Sequence, residues 1–172
     1  TLSSSSAASD VYKRQVLYGG AGNDSLTSSG SVLGDVGDEL FGGAGNDTIT
    51  MLDGAADAYG GAGADTFKIG GDGDWLYIVD FSSQDGDVID VSALGITSLD
   101  ALMSFGRMED DTAIFEITIN GTSKRISVSN FELEAFSAAN FIFAPEPGRL
   151  ITGGDATADD LLGGAGNDTL QG

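Results

Sequence analysis

Cysteine and histidine are both absent from this 172-residue chain, and it has only two prolines and seven Lys and Arg. Without cysteine there is no disulfide and no thiolate metal site. Without histidine the usual zinc ligand and the usual general base are missing. A Ser-His-Asp triad, a thiol nucleophile or a His-ligated zinc centre therefore cannot be built from these residues. The few basic residues face 27 acidic ones, for a formal charge of -20. Such a balance argues against a nucleic-acid or anionic-membrane partner, which attract basic surfaces, and favours cations. No apolar run approaches the length of a membrane span. The acidity is concentrated between residues 19 and 90, where thirteen Asp and Glu39 stand against Lys68 alone. That segment repels itself unless counter-ions bind.

What is abundant is glycine, at 27 residues, and it is spaced. The words GGAGNDSLT (from Gly19), GGAGNDTIT (from Gly42), GGAGADTFK (from Gly60) and GGAGNDTLQ (from Gly163) share one spelling, G-G-x-G-x-D-x-U-x with U a large apolar residue. After the first word, Ser28 to Val32 are inserted. Residues 33–41 keep Asp38 in sixth place and Leu40 in eighth. Residues 51–59 are degenerate, with Ala56 where Asp belongs, and residues 69–77 keep Asp74 and Leu76. Residues 154–162 are partial and 163–171 complete. A flexible Gly-rich linker needs neither an Asp at every sixth place nor an apolar residue at every eighth. The spelling has a chemistry. Glycines permit positive φ and close backbone approach, so six residues make a tight turn with carbonyl oxygens pointing outward. The Asp adds a carboxylate, and x-U-x makes a short strand with U inward. Carbonyls plus carboxylates suit calcium, a hard cation that takes six to eight oxygens.

This nonapeptide resembles the repeats-in-toxin (RTX) calcium-binding family. The resemblance implies an all-β fold: a parallel β-roll in which two nonapeptides make one coil, strands stack in two parallel sheets and each Ca2+ lies between turns of successive coils. A turn then meets the turn two repeats later. One edge carries the turns beginning at Gly19, Gly42 and Gly60, all well formed, and the other those at Leu33, Met51 and Ile69, all degenerate. Two good sites are expected on the first edge, between the Gly19 and Gly42 turns and between the Gly42 and Gly60 turns. Metal residues carried over from the motif are Gly19, Gly20, Gly22 and Asp24; Gly42, Gly43, Gly45 and Asp47; Gly60, Gly61, Gly63 and Asp65; then Asp38, Asp74 and Asp168. Inward residues are Leu26, Ile49 and Phe67 on one sheet and Leu40, Ala58 and Leu76 on the other. That core is thin for so many glycines, so metal is needed for folding.

Residues 78–144 leave the frame. IVDFSSQDGDVIDVSAL is similar to the segment after RTX repeats in secreted proteins such as serralysin-type proteases, spelled D-F-x-x-G-x-D-x-I-D-L-S. Here Phe81 to Asp87 is one residue longer and the glycine is displaced to Gly86. Asp80, Asp87 and Asp90 are either ligands or turn formers. SLDALMSFG predicts a short helix capped by Ser98 and ended by Gly106. TAIFEITI predicts a half-buried strand, Asn120-Gly121 a hairpin and SKRISV its antiparallel return. SAANFIF predicts a helical turn and a last strand. Together they read as a cap over the roll's open end, with Trp75, Phe81 and Phe131 in the core. Glu132 and Glu134 share a face through strand periodicity, with no sign of a substrate cleft.

The expected organisation is 1–15 as a leader that resembles a translated sequencing adapter, with a Ser-rich linker as the alternative; 19–77 as the RTX roll; 78–144 as the cap; 145–153, which holds both prolines, as a linker; and 154–172 as the start of a second roll. The start at Thr1 and the stop inside a repeat lead to the expectation of a piece of a longer chain. The function implied is calcium binding by a non-catalytic, calcium-dependent folding module of a secreted bacterial protein exported by a type I channel. The alternatives are a calcium-stabilised adhesin array or the non-catalytic end of a secreted protease or lipase. Asp72-Gly73-Asp74 opens like an EF-hand, but the ligand ladder fails and no Glu stands in twelfth place. Any protein or glycan partner and the oligomeric state stay open.

Overall fold

The computed structural model describes residues 14–29, 37–70, 75–146, 150–152 and 169–171. Short strands alternate between two sheets in chain order: β1 (Val16–Ala21), β2 (Ser25–Ser28), β3 (Asp38–Ala44), β4 (Thr48–Met51), β5 (Ala55–Ala62), β6 (Thr66–Ile69), β7 (Trp75–Ile78) and β8 (Val88–Asp90). The odd strands join parallel in one sheet and the even strands parallel in the other. This is an open parallel β-roll, as the nine-residue frame requires. From β2 to β7 buried residues alternate with more exposed ones, so the apolar eighth place turns inward. Leu26, Ile49, Phe67 and Ile89 form one buried rung. Met51 and Ile69 form a second rung beside it.

The opposite sheet departs from the frame. Leu40 pairs with Ala58 as expected, but Leu76 pairs with Ala56, and Ile78 takes the place beside Ala58. A slip of two residues keeps every side chain on its own face, so the alternation tolerates it, whereas a slip of one would not. Trp75 is not in the core. It is 43% exposed on the outer face, where the Arg125 guanidinium lies 4.8 Å from its ring centre. The alternation that buries Leu76 turns Trp75 outward. On that face Tyr18, Phe41 and Tyr59 stack ring on ring, with centres 4.9 and 4.5 Å apart.

The segment after residue 78 does more than cover an end. β8 adds to the even sheet, so the last coil of the roll lies within it. Then come α1 (Leu99–Met103), β9 (Gly106–Glu109), β10 (Thr112–Ile119), β11 (Thr122–Ser129) and β12 (Phe141–Ile142). Ser98 caps α1 by accepting from the Ala101 N–H. Gly106 opens β9 instead of ending the helix, which stops at Ser104. Asn120 and Gly121 both have positive φ, as a two-residue hairpin requires, and β10 and β11 pair antiparallel around them. β11 also pairs parallel with β7, so the hairpin continues the odd sheet, and β12 continues the even one beside β8. Between the continued sheets lies a cluster of Phe81, Phe115, Phe131, Phe136 and Phe141, with ring centres 4.4 to 6.0 Å apart. Beyond it, β13 (Leu150–Thr152) pairs parallel with β14 (Thr169–Gln171).

Candidate metal centre

The turns that join odd to even strands repeat along one edge of the roll. Gly20, Gly22, Gly43, Gly45, Gly61 and Gly63 all have positive φ. Close approach matters as much as φ at Gly43, where a Cβ would run into the Gly20 carbonyl oxygen of the coil before. Stacked this tightly, the turns exchange backbone hydrogen bonds: the Gly22 N–H donates to the Ala44 carbonyl and the Gly45 N–H to the Ala62 carbonyl, both at 2.8 Å.

The sixth-place aspartates form a ladder. The Asp24 N–H donates to Asp47 Oδ1 at 2.7 Å, the Asp47 N–H to Asp65 Oδ1 at 2.8 Å, and the Asp65 N–H to Asp87 Oδ1 at 2.9 Å. These steps span 23, 18 and 22 residues, so the edge absorbs insertions without losing register. A second ladder runs the other way through the fifth-place residues: Asn23 Oδ1 accepts from the Asn46 N–H and Asn46 Oδ1 from the Ala64 N–H. Sequence reasoning gave these asparagines no role. Their signal was the spelling GGAGND, in which only an amide or carboxylate at fifth place can bridge coils.

Oδ1 of Asp47 and of Asp65 is committed to the ladder, and Oδ2 of Asp24, Asp47 and Asp65 is in each case buried and, among the described residues, without a hydrogen-bond partner. Asp47 and Asp65 are 1% and 0% exposed. The first-place glycines leave the room beside these atoms. A Cβ on Gly42 would lie 2.5 Å from Asp47 Oδ2 and 2.6 Å from the Gly60 carbonyl oxygen, and one on Gly19 would lie 2.5 Å from the Gly42 carbonyl and 3.0 Å from Asp24 Oδ2. Each cradle thus joins one carboxylate to a carbonyl of the next coil. Among the described residues no group of three or more carboxylates converges; main-chain oxygens complete the donor set.

A buried carboxylate oxygen without a donor is costly unless a cation meets it. Burial pushes the Asp65 carboxyl above its ordinary range, reinforced by the charges of Asp47, Asp80 and Asp85 against the opposing Asp47 N–H. Burial likewise pushes Asp87 up to about 6, opposed by the Asp65 and Ser82 N–H groups and assisted by the charges of Asp65 and Asp80. All the donors are oxygens, carboxylate and carbonyl, which fits calcium.

The remaining candidates fall elsewhere. Asp38 is fully buried, but its Oδ1 accepts from the Gln15 N–H at 2.7 Å and its Oδ2 from the Ser28 hydroxyl. Both oxygens are committed, and Asp38 lies off the ladder. Asp74 and Asp168 lie outside the described residues. Asp80 and Asp87 bind main chain: Asp80 accepts from the Gly60 and Gly61 N–H groups, and Asp87 from those of Asp65 and Ser82. Asp90 caps Ser92 and pairs with Lys68 at 2.9 Å.

A family model, the RTX calcium-binding nonapeptide repeat in four copies, matches residues 15–30 and 153–172. These two stretches match RTX calcium-binding repeats. RTX repeats are a calcium-binding, non-catalytic module typical of secreted bacterial proteins. No curated protein matches the chain. Among solved structures, the chain is similar to the AlgE6R3 subunit of the mannuronan C5-epimerase of Azotobacter vinelandii, with TM-score 0.44 and 23% identity over 90% of this chain and 99% of that one. The AlgE6R2 subunit of the same enzyme gives 0.35 and 22%, over 81% and 98%. The extracellular lipase LipA of Serratia marcescens gives 0.42 and 21%, over 75% of this chain and 21% of the lipase. Among the described residues no helix is long and apolar enough to cross a membrane.

Proposed function

We propose that this chain is a calcium-dependent folding module of a secreted bacterial protein, with its ions held on the edge of Asp24, Asp47 and Asp65. The observation that carries this reading is the row of three buried, partnerless Oδ2 atoms at equivalent places in successive coils. Gly42 and Gly60 carbonyls supply further oxygens to the first two cradles. At low cytosolic calcium, residues 19–90 carry uncompensated negative charge and many glycines, so the chain stays unfolded and threadable for a type I channel. Outside, millimolar calcium neutralises the edge and the roll forms, in the range of about 10⁻⁴–10⁻³ M where extracellular modules bind. In this reading the folding unit runs from about residue 19 through β8, the cap follows to 144, residues 145–153 link, and 154–172 begin a second roll.

A second reading, a calcium-stabilised surface array, draws on the outward stack of Tyr18, Phe41 and Tyr59, an apolar row that the fold does not bury. Both readings require the same first result. Far-UV circular dichroism should show a roll that is disordered in EGTA and a clear gain of β-structure in millimolar calcium. A folded spectrum indifferent to calcium would overturn them.

A further inference from the structure

The aromatic residues are sorted by polarity. Phe67, Phe81, Phe115, Phe136 and Phe141 are buried. Tyr18, Tyr59, Tyr77 and Trp75, which are all the described tyrosines and the single tryptophan, stand with Phe41 on the outer face of the odd sheet. Tyrosine and tryptophan join a large apolar ring to a polar handle and are favoured where a surface meets a partner. Tyr18, Phe41 and Tyr59 stand in register on β1, β3 and β5. Two residues back along the same strands, Val16, Glu39 and Asp57 form the next row. An apolar ring and a carboxylate therefore lie about 7 Å apart along β3 and again along β5. Two guanidinium groups of the chain already use this face. Arg14 pairs with Glu39, and Arg125 lies over the Trp75 ring. Asp57, in register with Glu39, makes no hydrogen bond or ion pair among the described residues. Burial pushes its carboxyl above the ordinary range, against the charge of Arg14.

We propose that this face binds an arginine-rich segment of another protein, with one arginine laying its stem along Tyr59 and its guanidinium on Asp57. The spacing suits that side chain. An arginine covers apolar surface with its stem while its head stays with a carboxylate at the far end, and its planar head forms a forked contact that lysine cannot. Arg14 on Glu39 is the same head group on the neighbouring strand. Other occupants are opposed by what the face carries. The stacked rings have planes 10° and 16° apart, so Tyr18 and Tyr59 close both faces of Phe41 to a sugar ring. An acidic ligand meets Glu39 and Asp57, and a second copy brings the same charge of -20, so both are repelled. The inference goes beyond the calcium reading of the turn edge and needs only that the roll is folded.

The test is fluorescence anisotropy of a labelled oligo-arginine peptide with the full chain, in calcium and at physiological salt, beside circular dichroism of the same samples. The expected result is saturable binding that Asp57→Asn weakens about fivefold, the upper range for a partly exposed ion pair. Tyr59→Thr, which removes the ring and keeps a strand former, should weaken it to a similar degree. Asp111→Asn removes the same charge from the exposed turn between β9 and β10. It should change affinity less than about twofold, because salt screens a charge that the peptide does not touch. If Tyr59→Thr alters the spectrum, Asp57→Asn, which keeps size and shape, decides alone. Equal losses from Asp57→Asn and Asp111→Asn would overturn the site, leaving only attraction to net charge. Tighter binding of a neutral oligosaccharide, or self-association that Tyr59→Thr abolishes, would overturn it as well. A spectrum indifferent to calcium would sink the calcium reading and leave this one to be judged on the peptide alone.

Discussion

The roll and its cap are parts of the same two sheets, yet they are held together differently. The roll, from β1 to β8, joins its coils through glycine turns, main-chain hydrogen bonds and aspartates, and three of those aspartates keep a buried oxygen without a donor. The cap is built of a hairpin, a capped helix and packed phenylalanines. Its ion pairs, Arg107 with Glu116 at 2.5 Å and Arg125 with Glu109 at 3.4 Å, lie in solvent and add little. Apolar packing is present at any calcium concentration. Carboxylate cradles stabilise only when a cation fills them and otherwise oppose folding. One continuous sheet thus joins a region whose stability is conditional to one whose stability is not.

The largest effect expected is from calcium removal. Hydrogen exchange in EGTA should be fast through β1–β6, while amides of β10 and β11 keep measurable protection. Equal collapse of both regions would show that the cap depends wholly on the roll through the β7–β11 pairing. Next is Gly43→Ala, which needs a Cβ where the Gly20 carbonyl lies, at positive φ. It should separate the first two coils, cost several times the ~1 kcal/mol of a backbone penalty alone, and abolish the calcium-induced spectrum.

The aspartates come third and should not be equal. Asp47→Ala and Asp65→Ala each remove a cradle oxygen and strip the acceptor from an N–H of the coil before. Asp24→Ala removes only the cradle oxygen. The first two should exceed the third by about 1–3 kcal/mol, the cost of an unsatisfied buried donor, in calcium titrations followed by circular dichroism. An Asp47 effect well above that of Asp65 would favour a simple count of neighbouring turns over the ladder geometry.

The fourth effect is pH. Asp87 has an ordinary value of 3.8 and is pushed up to about 6, chiefly by burial; Asp65 moves in the same direction. A raised carboxyl favours the fold while it holds its proton. That contribution is complete below about pH 3.8 and is lost as pH rises through about 6. The metal-free chain should therefore show more β-structure at pH 4.5 than at pH 7.5. With calcium the slope reverses, because protons compete for the same edge, and the calcium midpoint should rise as pH falls through about 6. A spectrum without pH dependence in EGTA would contradict the burial of these groups.

The smallest effect is the cap's counterpart to Gly43. Gly121→Ala changes a residue with positive φ and nothing near its Cβ. It should cost about 1 kcal/mol in thermal unfolding and leave calcium affinity unchanged.

The roll, the stacking of the Gly19, Gly42 and Gly60 turns on one edge and the inward places of Leu26, Ile49 and Phe67 were all legible in the sequence, because a repeat with a fixed period has little choice of stacking once turn and strand alternate. The hairpin at Asn120-Gly121 and the Ser98 cap were legible for a local reason: each is decided within about four residues. β9 was not foreseen. Its turn at Asp110, with φ of 52°, carries no glycine, so the usual mark of a hairpin is missing.

What escaped the sequence depended on which coil meets which. Asp87 stands on the aspartate ladder although its segment breaks the spelling, because a turn of another length can still bring a carboxylate to the Asp65 N–H. Asp38 keeps the spelling on the opposite edge, yet the Gln15 N–H and the Ser28 hydroxyl take both of its oxygens. Leu76 moved two places along β7 without changing face. Period and residue type are written along the chain and fix which way a side chain points. The partner a side chain meets lies 18 to 23 residues away, and that distance is set by insertions whose length the sheets, not the motif, accommodate.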